Sequence, residues 1–108
     1  MRIEIFCAGG LSAKTLVRKI IKAAEKQGYT DVECNSFMIG ELKEQAPGCD
    51  IILLGPQIGF KESKVKELVP EIPIVVINMT DYGLMNGKNI FDLVLKTLNY
   101  KDGRPVEK

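Results

Sequence analysis

The sequence predicts an α/β fold, a three-layer α/β/α sandwich built on a four-stranded parallel sheet. Two observations carry this. Four short apolar runs alternate with longer stretches of helical period, the pattern of strands joined by crossover helices. Two of the runs, Ile51-Ile52-Leu53-Leu54 and Ile74-Val75-Val76-Ile77, are continuous and mostly branched, the form taken by strands buried on both faces of a parallel sheet.

Ile3, Ile5 and Cys7 begin the first strand. Leu16, Val17, Ile20, Ile21 and Ala24 then make one helical stripe, and Gly28 ends it as a C-terminal cap. The second strand covers Val32 to Ser36. A helix of one to two turns is expected from Gly40 to Ala46, ended by Pro47-Gly48. After the third strand, Val65, Leu68 and Val69 make a short helix that Pro70 stops. After the fourth, Ile90, Phe91, Val94, Leu95 and Leu98 repeat the helical stripe. Right-handed crossovers make the sheet parallel, and a small doubly wound domain favours the flavodoxin-like strand order 2-1-3-4. Residues 1–99 form the domain, and residues 100–108, which lack an apolar period, read as a polar C-terminal tail.

A chain of 108 residues is one domain's worth, so any chemistry belongs to one surface. Fifteen Lys and Arg against fourteen Asp and Glu leave a net charge of +1, which calls for neither nucleic acid nor an anionic membrane. Three cysteines are too few and too odd in number for a disulfide framework, and the chain has no histidine to complete a zinc site. No metal or other cofactor is expected. No apolar run approaches the ~20 residues that span a bilayer, and the N-terminus lacks a signal peptide's apolar core. The expectation is a cytoplasmic monomer with reduced thiols and no membrane insertion of its own. Without histidine, any mechanism that needs an imidazole must borrow one.

Ligands of an open parallel sheet bind beyond the carboxyl ends of its strands. Three loops leave those ends: residues 7–14, residues 55–59 and residues 79–83. The first, Cys7-Ala8-Gly9-Gly10-Leu11-Ser12-Ala13-Lys14, carries the candidate site. Its glycines let successive N–H groups turn inward, and a helix begins directly after, so residues 8–14 form an anion cradle. A cysteine at the lip of that cradle has its thiolate favoured. The cysteine phosphatases use C-x5-R, but here the arginine position is Ala13, so the phosphate clamp is missing. A nucleophile with a cradle and no hydrolytic apparatus suits holding a phosphoryl group and passing it on. An anion- or effector-binding module, or a thiol-based phosphatase or reductase, is the alternative. Cys34 and Cys49 read as structural. Lys14, Arg18, Lys22 and Lys26 make a basic stripe, with Lys14 and Arg18 placed to meet a partner, while Gln57 and Tyr82 are candidates for the site rim.

Three blocks, Ile3-Glu4-Ile5-Phe6-Cys7-Ala8-Gly9-Gly10-Leu11-Ser12, Asp50-Ile51-Ile52-Leu53-Leu54-Gly55-Pro56-Gln57-Ile58 and Tyr82-Gly83-Leu84-Met85-Asn86-Gly87, carry a resemblance. The chain resembles the lactose/cellobiose type of enzyme IIB of the bacterial sugar phosphotransferase system, from Met1 to about Leu98. The resemblance implies that Cys7 accepts a phosphoryl group from a phosphohistidine on enzyme IIA. It further implies transfer to a sugar of the cellobiose, lactose or β-glucoside class bound by the membrane component, enzyme IIC. The absent histidine fits, because it belongs to the partner. The family's loop is often of the form C-S-A-G-M-S-T-S. Ala8, Ala13 and Lys14 here stand where that form has hydroxyls, which leaves the backbone as the cradle.

Overall fold

The computed structural model describes residues 1–9, 12–101 and 104–105. Strands β1 (Arg2–Cys7), β2 (Glu33–Met38), β3 (Ile51–Leu54) and β4 (Ile74–Val76) pair in parallel in the order β2-β1-β3-β4, as expected. Helix α1 (Ser12–Lys26) joins β1 to β2, and α2 (Leu42–Gln45) joins β2 to β3 after a 3-10 turn at Ile39–Glu41. A 3-10 segment (Pro56–Lys61) and α3 (Glu62–Leu68) lead to β4, which is followed by α4 (Met79–Gly83) and α5 (Gly87–Thr97).

Alternation along β1 sends successive side chains to opposite faces of the sheet. Ile3 and Ile5 pack with Leu16 and Ile20 of α1 and Ile90, Phe91 and Val94 of α5. Phe6 joins Ile52 and Leu54 on the other face, with Leu42, Ala46 and Val65 from α2, its C-terminal end and α3. Two separate cores thus clamp one sheet, which is the three-layer arrangement. Burying each large side chain such as Phe6 or Phe91 contributes on the order of 1.5–3 kcal/mol.

The two continuous apolar runs divide. All of β3 is buried, but Ile74, Val75 and Val76 of β4 are only partly buried, because β4 is an edge strand with a neighbour on one side only. The segments after β3 and β4 are helical where turns were expected. Pro56 at the first helical position presets φ for its 3-10 segment, and the Asn78 side chain accepts from the Asp81 N–H at 2.8 Å to start α4. Beyond α5, β5 (Tyr100–Lys101) and β6 (Arg104–Pro105) pair antiparallel, and the Tyr100 ring lies 6.4 Å from that of Tyr29.

One charge sits inside. Glu4 points from β1 into the second core at 1% exposure, and Arg2 Nε and Nη2 donate to its Oε2 at 2.9 and 2.6 Å. Arg2 Nη2 also donates to the Gln45 carbonyl at 2.8 Å, tying β1 to the end of α2. Breaking such a pair from one side leaves an uncompensated buried charge, whereas replacing both partners with apolar groups does not. Arg2→Met is therefore expected to lower the urea midpoint clearly, and Arg2→Met with Glu4→Leu to recover most of that loss. Denaturation curves of the two variants check this.

Candidate functional site

Cys7 is the last residue of β1 and is 5% exposed, its Sγ 3.7 Å from the Phe37 carbonyl of β2. The register sets Cys7 beside Met38, so the carboxyl ends of β1 and β2 open together. Ala8 and Gly9 follow, both exposed, and Gly9 has φ +140°, a conformation that side chains resist. Gly10 and Leu11 lie outside the described residues, as does the side chain of Ser12. The α1 backbone starts at Ser12, with no acidic residue in its first turn to oppose an anion. Ala13 is buried and Lys14 exposed.

A cleft of about 340 Å³ opens on this arrangement, lined by Cys7, Gly9, Ala13 and Lys14 from one side and by Met38 and Glu41 from the other. Met38 and Glu41 were not anticipated. The strand order held the signal, since order 2-1-3-4 puts the end of β2 and the residues after it next to the Cys7 loop. Glu41 Oε2 accepts from the Met38 N–H at 3.0 Å, which fixes the carboxylate on that wall.

Gly55 brings in the other flank. It is buried just after β3, and a Cβ built there would stand 3.3 Å from Gln57 Oε1, 3.7 Å from Cys7 Cβ and 3.7 Å from Tyr82 Cε2. A residue without a side chain is what lets these three approach one another. Gln57 is exposed at the start of the 3-10 segment, and Tyr82 is buried in α4 at 9% exposure. Both therefore gather around Gly55 with Cys7, although neither lines the cleft. Arg18 is exposed one turn along α1 from Lys14 and does not line the cleft.

The other two cysteines are remote. Cys34 pairs with Ile3, four residues back along β1 from Cys7, which is about 13 Å of strand. Cys49 precedes Asp50, whose N–H donates to the Arg2 carbonyl, so it lies at the opposite end of β1 from Cys7. Burial pushes the Cys34 thiol up to about 12. Burial first, then the Glu4 charge, pushes Cys49 up to about 11 against the opposing pull of Arg2. Neither is placed to resolve a disulfide with Cys7, which needs Cα atoms within about 7 Å. Among the described residues, no cluster of His, Cys, Asp and Glu is arranged to hold a metal ion, and no helix is long and apolar enough to cross a membrane.

Residues 2–93 match the family described as the lactose/cellobiose-specific IIB subunit of the PTS system. A PTS galactose-specific EIIB component from Lactococcus lactis subsp. cremoris (strain MG1363) is 33% identical over 104 residues, covering 90% of this chain and 95% of the relative. A cellobiose-specific EIIB component from Lactococcus lactis subsp. lactis (strain IL1403) is 33% identical with the same coverage. Among solved structures, the cellobiose-specific phosphotransferase IIB component of Borrelia burgdorferi superposes with a TM-score of 0.70 at 30% identity, covering 92% of this chain and 94% of that one. The lactose-specific IIB component domain from Streptococcus pneumoniae gives a TM-score of 0.79, covering 90% and 96%, and at 22% identity shows the shared fold.

Proposed function

The chain belongs to the lactose/cellobiose-specific IIB family of the phosphotransferase system, and from that premise we propose that it is a phosphocarrier acting through Cys7. The observation that carries the reading is a cysteine at a strand end, followed by a positive-φ glycine and then a helix start, in a chain without histidine. The donor is a phosphohistidine on enzyme IIA. Cys7 sulfur attacks phosphorus, the S–P bond forms as the N–P bond breaks, and the thiol proton ends on the departing imidazole. The backbone amides of the loop and of the first turn of α1 stabilise charge on the phosphoryl group in transit.

The acceptor is a hydroxyl of a sugar of the cellobiose or lactose class held by membrane enzyme IIC. That oxygen attacks phosphorus, the S–P bond breaks, and the hydroxyl proton returns to Cys7 sulfur. Buried Ala13 in the place of a clamping arginine leaves the phosphocysteine without a hydrolytic apparatus, so it persists until an acceptor arrives. Two relatives of equal identity carry the names of different sugars, which suits a carrier whose sugar is chosen by the membrane component.

The test is incubation with a phosphoenolpyruvate-driven donor chain, followed by intact-mass and peptide mass spectrometry. One phosphoryl group should appear on the Cys7 peptide and leave when membranes carrying enzyme IIC and sugar are added. Label on any other peptide, or turnover of simple phosphate esters by the isolated protein, overturns the reading. Within the loop, Lys14→Ala and Ser12→Ala should each weaken acceptance by no more than about 1 kcal/mol, the scale of one hydrogen bond or exposed charge. Gly9→Val should cost far more, because a β-branched residue opposes φ +140°. Initial rates of phosphoryl acceptance give the ranking, and equal losses at Ser12 and Gly9 would put side-chain chemistry ahead of the backbone.

A further inference from the structure

We propose that the cleft between α1 and α5 is a second anion site, separate from the Cys7 loop, for a phosphate-bearing small molecule. The cleft encloses about 460 Å³. Lys19, Lys22 and Lys26 of α1 and Lys88 of α5 surround it, with the buried Ala23 and Gly87 at its base. Lys88 is already engaged, its Nζ 2.7 Å from Asp92. Lys19, Lys22 and Lys26 enter no ion pair among the described residues.

Three unneutralised ammonium groups on one side of a helix repel one another, at a cost that an anion between them removes. Lys14, Arg18, Lys19, Lys22 and Lys26 all belong to α1, where Glu25 is the sole carboxylate, although the whole chain carries only +1. The excess is therefore local to this helix and balanced elsewhere. The walls are also held together. Gly87 brings the α5 backbone against the carbonyl of Lys19, and Gln27 donates across to Asp92 at 3.0 Å. A concavity of this size falls within the roughly 300–1,000 Å³ of small-molecule sites. Lysine meets phosphate as a point charge, so the match is to charge and not to one carbon skeleton. A phosphate monoester or a diphosphate carries a charge of the size the three lysines present.

The experiment is an amide chemical-shift titration of the full chain at about 150 mM salt, where long-range steering is screened. Pyrophosphate is one probe and glucose 6-phosphate the other. Saturable shifts in residues 19–27 and 87–92 are expected, retained in Cys7→Ala, which separates this site from the Cys7 loop. Binding of both probes assigns the phosphate group as the recognised feature, and binding of one assigns the monoester or the diphosphate. Lys22→Gln with Lys26→Gln should weaken binding about tenfold, whereas Lys43→Gln with Lys64→Gln, away from this cleft, should leave it unchanged. The proposal is overturned by shifts confined to the Cys7 loop, by equal weakening in both double variants, or by no saturable binding. It also fails if an acidic peptide alone produces the shifts, which would make the face a protein contact.

Discussion

Cys7→Ser is expected to accept no phosphoryl group from the donor chain, while the variant with both Cys34 and Cys49 replaced by serine accepts one as the natural chain does. The contrast rests on position. Cys7 ends β1 at the lip of the cleft, whereas Cys34 lies within β2 opposite Ile3 and Cys49 beyond the far end of β1. Burial holds the latter two protonated at neutral pH, since their thiols are raised to about 12 and about 11. A serine hydroxyl at position 7 keeps the volume but is a much weaker nucleophile near neutral pH. Circular dichroism should show an unchanged fold in Cys7→Ser, so that the loss reads as chemistry. Labelling of Cys7→Ser at the natural rate would remove the carrier role from this residue.

Gly87→Ala is expected to destabilise the protein by about 3 kcal/mol, against the helix propensity of alanine, which alone favours it by about 1 kcal/mol. Gly87 is the first residue of α5, where that helix crosses α1. A Cβ there would stand 2.4 Å from the carbonyl oxygen of Lys19, 2.5 Å from its carbon and 2.9 Å from the nitrogen of Ile20. These are backbone atoms of a helix and have no rotamer to retreat into. The clash therefore pushes α5 away from α1 and loosens the core formed by Leu16, Ile20, Ile90 and Phe91. Gly83 in α4 is the control, because a Cβ there meets nothing within 4 Å. Urea denaturation should show Gly83→Ala neutral or stabilised and Gly87→Ala shifted strongly downward. Similar midpoints for the two would mean that the crossing is looser than its distances.

What was legible in the sequence is what depends on local pattern. The stripe from Leu16 to Ala24 became α1, and Gly28 after it has φ +86°. The run at Ile51 became the buried strand β3, and Cys7 with Gly9 fell at a strand end before a helix. What depends on register was not. Met38 and Glu41 line the cleft only because β2 lies beside β1 with Met38 opposite Cys7. The runs at Ile51 and Ile74 look alike as text, and only the strand order 2-1-3-4, expected and found, tells that one is central and the other an edge. Gly55 and Gly87 owe their importance to atoms distant in sequence, Cys7 and Tyr82 for one and Lys19 for the other. The short helix α4 had a local signal in Asn78 three residues before Asp81, an N-cap pattern that a search for apolar period passes over.

The central place of β1 bears on how the molecule opens. Residues from Ile3 to Phe6 are paired on both sides, with β2 and with β3, and all four are buried under one core or the other. Such a strand exchanges its amide hydrogens only when the whole domain comes apart, whereas β2 and β4 have one free side and exchange by local fraying. Cys7 is fastened to the end of that last-opening strand, and Gly9 stands two residues beyond it. The sulfur is thereby anchored to the part of the chain that opens last.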